Sequence, residues 1–164
     1  MNRELIEPFL NSAREITRQM TKLNISWAEE SFEEENEVFI NGVVSIITFA
    51  GKIKGRFLLG IDADTALDMA RDITGESVES LKDQMALAVI SEMNNIIAGD
   101  AITFLNNKLN LGLRLAPPVV MSGKDLIIAI PKLKSYSTKG YVGSGNITVN
   151  IAFEGGVWLW KLRT

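Results

Sequence analysis

Thirty residues, 79–108, carry apolar side chains at helical spacing with no proline among them. At about 100° per residue, Ala86, Val89, Ile90, Met93, Ile97, Ala101 and Phe104 fall on one arc, the expected core face. Ser77 is the expected cap. A helix of about 45 Å needs a broad surface to lie on, and the flanking sequence supplies one. Residues 38–61 are rich in Val, Ile, Phe and Thr and are punctuated by Gly51 and Gly55, which predicts strands joined by a turn with close backbone approach. Pro117-Pro118 end the connection after the helix, and strands are expected at 119–121, 126–130, 147–153 and 157–162. These runs do not alternate as βαβ units. The chain therefore reads as one α+β domain over 1–164, an antiparallel β-sheet packed with long helices.

The remaining segments fit that frame. Leu5, Ile6, Phe9, Leu10, Ala13, Ile16, Met20 and Leu23 form one apolar stripe, predicting an amphipathic helix over 3–23 with Asn2 as cap and Pro8 in its first turns. The acidic run 29–37 reads as a solvated connection. A short helix follows Asp62 or Asp64 as cap, carries Ala66, Leu67, Met69, Ala70 and Ile73, and stops at Gly75. Asp62, Asp64, Asp68 and Asp72 are read as capping and exposed residues, not as a cation site. Residues 140–145 contain Gly-x-Gly but lead into a strand, so they read as a hairpin connection, not a phosphate loop. Lys52, Lys54, Arg56, Lys132 and Lys134 are read as solvent-facing strand charges. In Val157-Trp158-Leu159-Trp160 both pleat faces are apolar, as in a covered strand or a subunit interface.

Composition removes whole classes of chemistry. There are no histidines and no cysteines, which excludes His-based triads, phosphohistidine, thiol nucleophiles and Cys- or His-ligated metals. A net charge of −3 argues against sequence-independent nucleic-acid binding. No uninterrupted apolar run approaches the length of a bilayer span, and the acidic N-terminus does not read as a signal peptide. The expectation is a cytoplasmic protein with no membrane or nucleic-acid partner, whose chemistry falls to carboxylates, amides, hydroxyls, lysines or a group that a partner brings.

On the helix 79–108, Glu92 and Asn95 fall together on the arc opposite the core face, among Ala88, Ala98 and Gly99. Solvent-facing helix positions usually carry long polar side chains, and Gly99 costs about 1 kcal/mol relative to Ala. Small residues around a carboxylate and an amide predict a low surface into which a partner can settle. The spacing alone is weak, because Glu33 and Asn36 repeat it.

Context strengthens it. The segment Ser91-Glu92-Met93-Asn94-Asn95-Ile96-Ile97-Ala98-Gly99-Asp100-Ala101, with Pro118 twenty-two intervening residues beyond Asn95, resembles the signature helix of the CheX branch of the CheC/CheX/FliY chemotaxis phosphatases. Ala88 departs from the Asp or Ser of that pattern. The strands around Phe49-Ala50-Gly51 and Gly55-Arg56-Phe57-Leu58-Leu59, and the helix ending in Thr74-Gly75, are similar to the family as well, so the resemblance spans about residues 38–131. One Glu-x-x-Asn helix rather than two is more like CheX than CheC.

The resemblance implies hydrolysis of the aspartyl phosphate on a CheY-like response regulator. In that role Asn95 places the attacking water and Glu92 pairs with the regulator's lysine. The chain would hold no cofactor of its own, and Mg²⁺ would come with the regulator. The resemblance also implies a homodimer, for which the Trp158/Trp160 strand would suit the interface. Two other readings remain: a module that binds a phosphorylated regulator without hydrolysing it, which Ala88 favours, and a flagellar-switch-type component.

Overall fold

A computed structural model describes residues 3–28, 33–35, 37–129 and 134–154. In chain order the elements are α1 (Arg3–Met20), β1 (Ile25–Trp27), β2 (Glu33–Glu35), β3 (Glu37–Ala50), β4 (Lys54–Asp62), α2 (Ala63–Thr74), α3 (Gln84–Leu109), β5 (Arg114–Leu115), β6 (Val119–Ala129), β7 (Lys134–Val142) and β8 (Gly145–Phe153). The eight strands form one sheet in the order β1-β7-β8-β4-β3-β5, with β2 also on β7 and β6 also on β3. Every pairing is antiparallel. The α+β class expected from the sequence is the class observed.

The three helices cover one face of the sheet. Alternate residues of the central strands, Val43, Ile47 and Phe49 on β3 and Phe57, Leu59 and Ile61 on β4, point into this layer. There they meet Leu5, Phe9 and Ala13 of α1 and Ile90, Met93 and Ile97 of α3. Phe9 stacks on Phe49 at 5.7 Å and on Phe57 at 4.9 Å between ring centroids, which seats α1 on the sheet. The opposite residues, Val38, Ile40, Val44, Leu58 and Ala152, form a second buried cluster on the outer face. By length and composition α3 is apolar enough to cross a bilayer. Here Ile90, Met93, Ile97, Ile102 and Leu105 of that helix are taken up by the core.

The β3–β4 hairpin falls where Gly51 and Gly55 place it. A Cβ on Gly51 would sit 2.5 Å from the carbonyl oxygen of Gly112, so the close approach is to the segment after α3. Other expectations need correction. The acidic run contributes β2 instead of a wholly solvated connection. The two strands expected at 119–121 and 126–130 are, as far as residue 129, the single strand β6, whose register shifts near Asp125, a residue with φ of 53°. Strand β7 is not among the expected strand ranges, and it runs into residues 140–142 of the expected hairpin connection. Its Ser135 and Ser137 are buried on the outer face beneath the Asn150 amide, which donates to both hydroxyls at 3.0 and 2.8 Å, so these buried positions give no apolar signal to read. Helix α1 ends at Met20, where the Thr21 hydroxyl donates back to the Thr17 carbonyl and takes the Leu23 N–H at 3.0 Å, a local bond that competes with a further helical turn. The expected cap Asn2 and the expected strand 157–162 lie outside the described residues.

Two caps also differ. Asp62 stands at the N-cap of α2 but makes no side-chain cap bond. Its carboxylate instead accepts from the backbone N–H and the side-chain amide of Asn146 across the β7–β8 turn, at 2.8 and 3.2 Å. Gly75 ends α2 as expected, with φ of 68°. Helix α3 starts at Gln84, not near residue 79, because Asp83 caps it by accepting from the Met85 N–H at 2.9 Å.

Candidate functional site

Helix α3 is held from three sides. Its first turn packs through Ala86 against Ala70 and Val78, at the end of α2 and just beyond it. Its middle lies on β3, where Asn94, fully buried, donates its amide to the Ser45 carbonyl at 3.1 Å and hydroxyl at 2.9 Å. Along its second half runs α1, whose Ser12 hydroxyl donates to the Ile97 carbonyl at 2.9 Å.

Because these neighbours change along the helix, its buried stripe winds. Ala86, Ile90, Met93, Ile97 and Ala101 are buried as expected, but Asn94, Ala98, Ile102 and Leu105 are buried too. Two expectations therefore fail. Ala98 belongs to the core and not to the low exposed surface. Phe104, placed on the core arc, is 52% exposed, because α2 covers that angular position only near Ala86. Val89 is half-buried.

The remaining surface is an open row at i, i+4 spacing: Ala88, Glu92, Ile96, Asp100, Phe104 and Lys108 are all exposed. Glu92 and Asn95 lie one turn apart on this side, the carboxylate exposed and the amide half-buried. Neither side chain makes a hydrogen bond or an ion pair with another described residue. Gly99 completes the low ground beside them. A Cβ there would find only Leu115 Cδ1, at 3.9 Å, so the surface is open where a longer side chain would have filled it. The structure thus brings Glu92, Asn95, Ala88 and Gly99 to one face and removes Ala98 from it. Three features escaped sequence reasoning: the anchor Asn94 and the exposed apolar pair Ile96 and Phe104. The spacing of Ile96 and Phe104, four and twelve residues beyond Glu92, was the available signal.

The aspartates of α2 do not converge. Asp62 holds the β7–β8 turn, Asp68 pairs with Arg71 at 3.2 Å, and Asp72 accepts from the Lys22 N–H at 2.9 Å. Among the described residues no three acidic side chains gather as a metal site would require.

A family model described as chemotaxis phosphatase CheX matches residues 43–141. The chain belongs to the CheX family. A CheX of Thermotoga maritima, named as a CheY-P phosphatase, is 26% identical over 136 residues, covering 83% of each chain. Among solved structures, a CheC-like superfamily protein of Shewanella sp. PV-4 superposes with a TM-score of 0.85 at 25% identity, over 94% of this chain and 100% of that one. The CheX of a Borrelia burgdorferi CheX–CheY–BeF3–Mg²⁺ complex gives 0.72 at 28% identity, over 91% and 97%.

Proposed function

We propose that this CheX-family chain hydrolyses the aspartyl phosphate of a CheY-like response regulator, and that Asn95 and Glu92 are the side chains that act on it. The observation that carries the reading is a carboxylate and an amide one turn apart on the open side of α3, neither spent on a partner within the fold. The CheY-P phosphatase name of the Thermotoga relative and the CheY bound in the Borrelia complex support it.

The chemistry suits these residues. Water attacks phosphorus in line, the bond from phosphorus to the aspartyl oxygen breaks, and the carboxylate departs with the bonding pair. The products are free aspartate and dihydrogen phosphate. Such a reaction needs positioning and charge compensation more than covalent help. The Asn95 carboxamide offers a donor and an acceptor and does not titrate, so it can hold the water in line without competing for its proton. Glu92 can receive a lysine of the regulator and fix the register of docking. Ile96 and Phe104 on the same row supply apolar contact, and Mg²⁺ comes with the regulator.

The assay is the decay of a phosphorylated CheY-like protein with and without this chain. Asn95→Ala should slow the catalysed decay by about 100-fold or more while leaving the circular dichroism unchanged; an unchanged rate rejects the assignment. Glu92→Ala should chiefly weaken docking. The alternative of binding without hydrolysis, which exposed Ala88 favours, predicts a regulator whose lifetime is unchanged or extended. The homodimer implied by the resemblance, for which the Trp158/Trp160 strand outside the described residues is the expected interface, also has an open sheet edge at hand in β6, whose side away from β3 is unpaired among the described residues. Sedimentation velocity showing only monomer would remove it.

A further inference from the structure

We infer that one end of the sheet's outer face carries an oxyanion site, built by Arg56, Arg114 and Lys54 and suited to a doubly charged phosphate group. The pairing register places these side chains together. Lys54 and Arg114 both lie opposite Ala50, one on each side of β3, and Arg56 lies opposite Thr48. Strand spacing puts the Lys54 and Arg114 backbones about 10 Å apart, with Arg56 about 7 Å along the strand from Lys54 on the same face. The alanine between them leaves the middle low. An open recess of about 710 Å³ lies there, with Thr48, Leu115, Ala116 and Glu154 also in its lining.

Arg56 is the built part of the site. Its Nη2 donates to Asn150 Oδ1 at 2.9 Å, and Asn150 is itself fixed by Ser135 and Ser137. Its Nε is buried with no hydrogen-bond partner among the described residues. A half-buried guanidinium is thus held by one neutral acceptor and pairs with no carboxylate among the described residues, and burial lowers its pKa from the ordinary arginine value. An uncompensated charge in such a place is costly, and a bound anion would offset that cost. Arg114 has no carboxylate partner among the described residues either. Lys54 meets only Glu154, at 3.9 Å, with both side chains well exposed. Three cations against one carboxylate leave a surplus of two positive charges, which matches a phosphate dianion. Planar guanidinium forks and a hydroxyl at Thr48 match its oxygens.

The test uses the full chain and records the arginine Nε–Hε signals in ¹H–¹⁵N spectra at constant ionic strength. The probes are inorganic phosphate and phenyl phosphate, with chloride as the control. Saturable shifts of the Arg56 and Arg114 signals are expected with phosphate and not with chloride. Tighter binding of the inorganic ion identifies free phosphate as the ligand, and tighter binding of the ester identifies a phosphorylated organic group. Arg114→Gln, at an exposed position, should weaken affinity at least tenfold, and Arg56→Gln likewise. Glu154→Gln should tighten it, and Asn95→Ala should leave it unchanged. Shifts no larger than those with chloride, affinity that survives Arg114→Gln, or affinity lost in Asn95→Ala would each overturn the site.

Discussion

Replacing Asn94 by alanine tests whether the face bearing Glu92 and Asn95 is fixed by a bond to the sheet or merely rests on it. The change removes two hydrogen bonds to Ser45, at 3.1 and 2.9 Å, each worth about 1 kcal/mol net. It also deprives the Ser45 hydroxyl, on a fully buried residue, of its donor, a cost of about 1–3 kcal/mol. Against this, Asn94 Oδ1 is buried without a partner, and its removal recovers a similar amount. These two contributions cancel to first order. What remains is about 2 kcal/mol of hydrogen bonding and about 1 kcal/mol for the void left by the missing amide group. A loss near 3 kcal/mol lowers Tm by about 6–12 °C in a domain of this size. Urea unfolding followed by circular dichroism measures it, alone and together with Ser45→Ala. The pair should couple by about 1–2 kcal/mol. Additivity within about 0.5 kcal/mol would show that the bonds to Ser45 do not hold the helix. Because Asn95 rides on the same turn, phospho-regulator decay catalysed by the folded Asn94→Ala variant should also slow.

Gly99→Ala should raise stability by about 0.5–1 kcal/mol, since the new methyl meets only Leu115 Cδ1 at 3.9 Å and the helix sheds a glycine. A fall in Tm would show that this ground is not open. The Glu15 carboxyl is held below the ordinary carboxylate range by the Arg18 guanidinium first and then by the Gln19 amide. Its folded-state pKa is depressed, so what it contributes to stability is present above its unfolded pKa and is lost as pH falls through the lowered value. Carboxyl ¹³C titration should show the low midpoint, and Arg18→Ala should raise it; an unmoved midpoint refutes the pairing.

The parts of the fold legible in the sequence are those whose neighbours leave an apolar signature. β3, β4 and β8 read clearly because their helix-side faces carry Val, Ile, Leu and Phe at every second position or nearly so. β7 did not, because its buried outer-face positions are serines satisfied by Asn150, and a polar group that satisfies itself looks like a loop in one dimension. Glu92 and Asn95 were legible as an anomaly among small residues. Ala98 and Phe104 were misplaced for a different reason. A helical wheel assumes one fixed set of neighbours, whereas α3 exchanges α2 for α1 along its length. Arg56 was read as an ordinary strand charge, since nothing local reveals that Asn150, 94 residues away, holds it in the sheet.

The open row on α3 has a directional consequence. Rows of i, i+4 side chains run at about 26° to a helix axis, and two such rows seat best when their helices cross at about 50°. A visiting helix guided by Glu92, Ile96, Asp100 and Phe104 would therefore come to rest aslant, with its far end carried over α1. The flank of the molecule that never touches the reacting group would then help decide which visitors can be seated at all.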